Sequence, residues 1–164
     1  MQPLFFHTHQ SLTKLKSNRF IFVFGSNTAG RHGAGAARVA VHNFGAKYGK
    51  GFGLCGQSFA LPTKDENIET LSLTVIQTHV DGMINEAEQQ KDYMFVLTEI
   101  GCGLAGYTAD DMAPLFTKYI EQSIFGIHHN NIIFPEAFVD VFMKIYTANQ
   151  SFPIETMDTS IYLV

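Results

Sequence analysis

Two stretches of this chain are rich in glycine, and each follows a short apolar run. Phe20-Ile21-Phe22-Val23-Phe24 leads into Gly25-Ser26-Asn27-Thr28-Ala29-Gly30-Arg31-His32-Gly33-Ala34-Gly35. Tyr93-Met94-Phe95-Val96-Leu97 leads, through Thr98 and Glu99, into Ile100-Gly101-Cys102-Gly103-Leu104-Ala105-Gly106-Tyr107. Where no Cβ stands in the way, backbone N–H groups approach an anion closely, and a run of them ahead of a helix can cradle a phosphate. The amides of Gly33, Ala34, Gly35 and Ala36 and those of residues 101 to 106 are therefore candidate diphosphate donors, with Gly25, Ser26 and Ile100 lining the strand ends. The competing reading, that these are turn glycines and Asn27 caps the turn, loses weight because the pattern occurs twice.

Around the loops stand side chains able to act on a ligand. Asn27 offers both a donor and an acceptor on a short stem, suited to a ribose hydroxyl pair. Glu99 and Asp65 each end an expected strand, where a carboxylate can activate water or simply be solvated. Free amides around Cys102 lower a thiol pKa, although an inert, buried sulfur is the simpler assignment because no histidine partner is legible. Tyr107 can close a pocket from the second loop, and Phe134, near the end of the last strand, can stack on a base. His7 and His9 would share one face of a strand, yet no carboxylate or cysteine is fixed beside them, so no metal site and no cofactor is expected.

Familiar nucleotide motifs are absent. Gly45-Ala46-Lys47-Tyr48-Gly49-Lys50-Gly51 has one residue too few between its glycines and no hydroxyl after the lysine to meet a magnesium ion. Gly30, Gly33 and Gly35 are followed by Arg38 where a dinucleotide fingerprint needs a small residue. An ordinary NTPase or dehydrogenase is disfavoured.

The elements that hold the loops follow from periodicity. Residues 19–24 read as a strand apolar on both faces, as in parallel sheets, stopped by Gly25. Ala36, Ala37, Ala40, Val41 and Phe44 repeat at helical spacing from Gly35 until Gly45. Residues 45–56 are an irregular loop, and 57–61 a short strand ended by Pro62. Leu71, Val75, Ile76, Val80, Met83, Ile84 and Ala87 mark an amphipathic helix over about residues 70–90. After the second loop, Met112, Leu115, Phe116, Tyr119 and Ile120 form another stripe, whose Pro114 belongs in a first turn capped by Asp110 or Asp111. Residues 131–134 read as a last strand, Pro135-Glu136 opens a final helix, and residues 149–164 look like a weakly patterned tail. Alternating strands and helices imply an α/β fold of three layers, with a mixed, mostly parallel sheet between helices.

Composition narrows the function classes. A length of 164 residues suits one domain, with its core over about residues 19–147. With 11 Lys and Arg against 15 Asp and Glu, the chain lacks the basic footprint of a broad nucleic-acid surface. Cys55 and Cys102 are too few and too far apart to staple a secreted fold or build a zinc site, so a cytoplasmic protein is expected. No apolar run approaches the ~18 residues of a membrane span.

The pairing of Gly25-Ser26-Asn27 and Gly33-Ala34-Gly35-Ala36-Ala37 with Ile100-Gly101-Cys102-Gly103-Leu104-Ala105-Gly106-Tyr107 resembles the macro domain family, most of all its compact bacterial and phage-type members. The resemblance implies a three-layer α/β/α macro-domain-like fold and an ADP-ribose ligand. The first loop and Asn27 would form one wall, and the second loop would grip the diphosphate and distal ribose. Ile100-Gly101-Cys102-Gly103-Leu104 is similar to the branch that removes ADP-ribose from glutamate or hydrolyses ADP-ribose 1''-phosphate. An ADP-ribosylated protein is then an implied partner. Ala105 stands where that branch carries an aspartate, and residues 4 to 13 hold none of the aspartates by which many macro domains fix adenine. Three readings stay open: a metal-free hydrolase with Asn27 positioning water and Glu99 or Asp65 as base, a binding module without turnover, and a nucleotide-independent interaction protein.

Overall fold

The computed structural model describes residues 2–9, 11–148 and 154–163. Seven strands form one sheet in the order β3-β4-β2-β5-β6-β1-β7: β1 Leu4–His7, β2 Phe20–Asn27, β3 Gly53–Cys55, β4 Ser58–Lys64, β5 Met94–Leu97, β6 Ile132–Pro135 and β7 Thr156–Asp158. Only β3 pairs antiparallel, against β4; every other neighbouring pair is parallel. Helix α1, Gly35–Asn43, covers one face. The other is covered by α2 (Leu73–Gln89), α3 (Ala109–Met112), a 3-10 turn (Ala113–Phe116), α4 (Thr117–Ile124) and α5 (Glu136–Ala148).

Strand β2 shows why its sequence is apolar throughout. Ile21 and Val23 pack with Ile76, Val80 and Phe116 on the α2 face, whereas Phe22 and Phe24 pack with Ala37, Ala40 and Phe44 on the α1 face. Burying each such side chain contributes about 1.5–3 kcal/mol, against the ~0.5–1 kcal/mol that a glycine costs inside a strand. The strand therefore does not stop at Gly25, as expected from sequence, but continues to Asn27, where its last residues pair with Leu61, Pro62 and Lys64. Strand β4 likewise runs through Pro62. Its partner β3 reaches only as far as Ala60, so the missing N–H of the proline breaks no ladder bond on that side.

Helix α2 carries Gly82 because a Cβ there would sit 2.8 Å from the Phe52 ring, which packs edge-on against Phe59. Helix α3 is capped by Thr108, not by Asp110 or Asp111: Thr108 and Asp111 exchange side-chain to backbone bonds in a capping box. Three short strands escaped the sequence reading: β3 lies in the segment expected to be an irregular loop, where it pairs with β4. β1 lies between β6 and β7, and β7, within the segment expected to be a tail, extends the same sheet at its edge. Within that segment Ser160–Tyr162 form a further 3-10 turn, and residues 149–153 and 164 lie outside the described residues.

Candidate functional site

The ladder between β2 and β5 ends at Val23 and Leu97, while β2 continues four residues further. The chain leaving β5 is held back at the start, since the Thr98 N–H and hydroxyl both donate to the Val23 carbonyl. The helix that follows β2 lies on one face of the sheet and those that follow β5 lie on the other. Adjacent strands whose connections part in this way open a crevice at their carboxyl ends, the usual ligand position in open α/β sheets. A cavity of about 740 Å³ lies there, lined by both glycine loops and by Arg31, Thr63, Lys64, Ile68 and Thr98.

The first loop is built around Asn27. Its Nδ2 donates to the Arg31 carbonyl at 2.7 Å and its Oδ1 accepts from the Arg31 N–H at 2.9 Å, so one amide side chain closes the turn from both sides. Gly30, at φ +69°, lies so near the 47–51 segment that a Cβ would be 2.5 Å from the Lys50 nitrogen; no other residue type fits there. Beyond the turn, Ala34 caps α1 without any side-chain bond, in contrast to Ser72 on α2 and Thr108 on α3. The N–H groups of Gly33, Ala34, Gly35 and Ala36 thus have no protein acceptor among the described residues, and all four residues line the cavity.

The second loop folds on itself and leaves other amides unused. Tyr107 N–H donates to Gly101 O and Gly106 N–H to Gly103 O, each at 3.0 Å, and Cys102 N–H donates to Glu99 O. The N–H groups of Gly101, Gly103, Leu104 and Ala105 have no such acceptor among the described residues, and these residues line the same cavity. The loops nearly touch: a Cβ on Gly25 would lie 3.8 Å from the Gly101 nitrogen.

Of the residues singled out from sequence, Gly25, Ser26, Asn27, Gly33, Ala34, Gly35, Ala36, Glu99, Ile100, Gly101, Cys102, Gly103, Leu104 and Ala105 come together on this cavity. Four others do not line it. Phe134 faces the opposite side, fully buried edge-on against Phe116 and Phe142, because alternation along β6 turns it toward α5. The Asp65 carboxylate accepts from the Asn67 and Glu69 amides and shapes the turn after β4. The Tyr107 hydroxyl donates to Leu71 O at 2.8 Å, which ties the loop to the start of α2 instead of closing a pocket, and Gly106 serves the turn. Sequence reasoning missed Arg31, Lys64 and Ile68. Lys64 had a legible signal, since it ends a strand beside Asn27 in register.

A second cavity of about 360 Å³ adjoins the first through Leu12, Thr98 and Glu99 and is otherwise lined by His7, His9 and Pro135. Along the carboxyl edge the order is therefore Lys64, Asn27, Thr98 with Glu99, Pro135, His7. His7 Nε2 donates to Leu97 O at 2.7 Å and His9 Nε2 to Ser160 O at 3.1 Å. Burial holds the His7 imidazole below the usual histidine range, so its Nδ1, buried and without a partner, is a bare acceptor. Among the described residues no three His, Cys, Asp or Glu side chains are grouped to hold a metal ion.

Cys102 is not activated by its loop. Burial, then the Glu99 and Asp111 carboxylates, push its thiol up to about 11. With Cys55 replaced by serine, alkylation of Cys102 by iodoacetamide at pH 8 should run at least about tenfold slower than that of free cysteine. A rate equal to free cysteine would show that the thiolate is favoured after all.

No family model and no curated protein matches the chain. Among solved structures, the Alphavirus P23pro-zbd superimposes with a TM-score of 0.61 at 10% identity, over 98% of this chain and 26% of that one. The chain thus spans about a quarter of the viral protein's length, and the likeness is one of fold. The fold is macro-domain-like: a mixed, mostly parallel sheet between helical layers. No helix among the described residues is long and apolar enough to cross a membrane.

Proposed function

We propose that this protein binds ADP-ribose or a close derivative along the carboxyl edge of its sheet. The observation that carries this reading is the meeting of two sets of unused backbone amides, residues 33–36 and residues 101 and 103–105, on one cavity. A diphosphate needs several converging donors and compensating positive charge; Arg31 and Lys64 supply the charge, and neither is in an ion pair among the described residues. The terminal ribose lies toward Asn27 and Lys64, and the base toward Glu99 and the second cavity.

The second cavity supports adenine as that base. The hydroxyl hydrogen of Thr98 is committed to Val23 O, and the Glu99 carboxylate stands beside it. Both side chains therefore present acceptors, which suits the two hydrogens of the adenine amino group and repels the keto oxygen of hypoxanthine. These groups take the place of the aspartate missing from residues 4 to 13.

Hydrolysis is a second reading, in which the ligand lies the other way along the edge so that its terminal ribose reaches Glu99, an exposed carboxylate that lines both cavities. Its carboxylate would take a proton from water as the oxygen attacks the terminal phosphorus or the anomeric carbon, and would hand that proton to the displaced oxygen. An ADP-ribosylated protein could present the same ligand. The same reading puts the chain in the cytosol, where Cys55 and Cys102 remain thiols.

A thermal-shift and calorimetric series of ADP-ribose, ADP, inosine diphosphate and AMP tests the assignment. Ligand at 100 times its dissociation constant adds about 2.7 kcal/mol, a rise in Tm of about 5–10 °C for a chain of this size. ADP-ribose and ADP should produce it, with inosine diphosphate bound at least about tenfold more weakly. No shift with any diphosphate would overturn the reading. Turnover of ADP-ribose 1''-phosphate that is lost in Glu99→Gln would select the hydrolase over the binding module.

A further inference from the structure

We infer that Ile68 and Leu104 form an apolar clamp on the sugar beyond the diphosphate, and that Ile68 is kept there at the expense of fold stability. The inference rests on the ADP-ribose reading above, and it arises from the backbone. Ile68 is the only residue other than glycine with positive φ among the described residues, at +68°. A β-branched side chain is poorly tolerated in that region, where glycine or asparagine is expected.

The turn that imposes this conformation is heavily determined. Asp65 N–H donates to Glu69 O and Ile68 N–H to Asp65 O, the Asp65 carboxylate receives the Asn67 and Glu69 amides, and Lys64 bridges Thr70. Nothing in this network uses the Ile68 side chain. It is instead 39% exposed and lines the main cavity. Leu104, on the second glycine loop, lines the same cavity and is 75% exposed. The two segments are fastened together, since the Thr70 hydroxyl donates to Ala105 O at 3.0 Å and the Tyr107 hydroxyl to Leu71 O at 2.8 Å.

Strain that persists in an otherwise satisfied turn, beneath an exposed apolar side chain at a cavity, is the pattern expected of a ligand clamp. The polar groups nearby already serve the diphosphate, so what two branched aliphatic side chains can add is contact with the C–H face of a sugar ring. The turn follows β4, at the end of the sheet edge assigned to the terminal ribose. The clamp should therefore act on ADP-ribose and not on ADP.

Three variants test this by calorimetry and thermal melting. Ile68→Gly should raise Tm by about 2–4 °C by relieving the left-handed strain, yet bind ADP-ribose about tenfold more weakly, with ADP affinity unchanged. Ile68→Asn, which tolerates the conformation without loosening the turn, and Leu104→Ala should weaken ADP-ribose similarly. An Ile68→Asn or Leu104→Ala protein that binds ADP-ribose as tightly as the unaltered chain overturns the clamp and leaves the diphosphate site standing. Failure of the unaltered chain to bind either nucleotide overturns both readings.

Discussion

Replacing Asn27 with aspartate, a change of one heavy atom, should reduce ADP-ribose affinity at least about 100-fold while the protein still folds. The amide of Asn27 holds Arg31 from both sides, donating to its carbonyl and accepting from its N–H. A carboxylate keeps the acceptor but turns the donated bond into an oxygen facing an oxygen at 2.7 Å, in a side chain only 7% exposed. Stability should fall by about 1–3 kcal/mol, read from urea denaturation, because a buried bond is replaced by a repulsive contact. The larger loss is in binding, since the turn that presents Arg31 and residues 33–36 relaxes and a negative charge enters an anion site. Asn27→Ala removes the clamp without adding the charge and should cost only about tenfold. Binding by Asn27→Asp within threefold of the unaltered chain would mean that the turn does not organise the phosphate donors.

Gly51→Ala should damage the same site from outside it. Gly51 does not line the cavity, yet a Cβ there would lie 2.3 Å from the Asn27 carbonyl oxygen and 2.7 Å from that of Thr28. Both obstacles are backbone, and the Asn27–Thr28 peptide is held at both ends: Gly30 N–H donates to Asn27 O and Thr28 N–H to Lys64 O. No flexible side chain can give way, so the loop must move. The expected cost is about 3 kcal/mol, a fall in Tm of about 6–12 °C, with ADP-ribose affinity reduced at least tenfold at a temperature where the variant is folded. Gly33→Ala gives the contrast. Its Cβ would meet only the Tyr48 hydroxyl at 4.0 Å and its φ is not positive, so Tm should stay unchanged while a methyl group enters the cavity wall. Equal melting temperatures for Gly51→Ala and Gly33→Ala would show that the first loop is more plastic than its contacts imply.

The parts of the fold legible in sequence are those whose burial imposes a period. The apolar run of β2 and the stripes of α2 and α5 sit close to where periodicity puts them, because each buries a face wide enough to leave a repeating pattern. β1, four residues long, and β7, three exposed residues, carry no such pattern; their pairing comes from the neighbours they meet. Gly25 and Pro62 read as stops. Both lie inside strands, because propensity is a fraction of a kilocalorie to a few while the packing of β2 and β4 into the centre of the sheet is worth more. The cap at Thr108 was missed for a related reason: the aspartate that attracted the assignment, Asp111, is the reciprocal member of the box.

For the candidate site, residue order alone was enough to mark both glycine loops, since a missing side chain after a buried strand is a local property that survives without coordinates; Asn27 was marked as a ribose ligand, whereas its amide oxygen and nitrogen both bond Arg31 and close the turn. Which side chains share the cavity is a non-local matter. Phe134 and Asp65 were eligible by position along the chain, yet the pleat of β6 sends one into the core and two backbone amides claim the other. Arg31, Lys64, Ile68 and the second cavity enter only because parallel pairing aligns the ends of β4, β2, β5, β6 and β1 along one edge. Backbone donors are written into the chain by glycine; the partners that give them a ligand are brought within reach by strand order, which residue types do not encode locally.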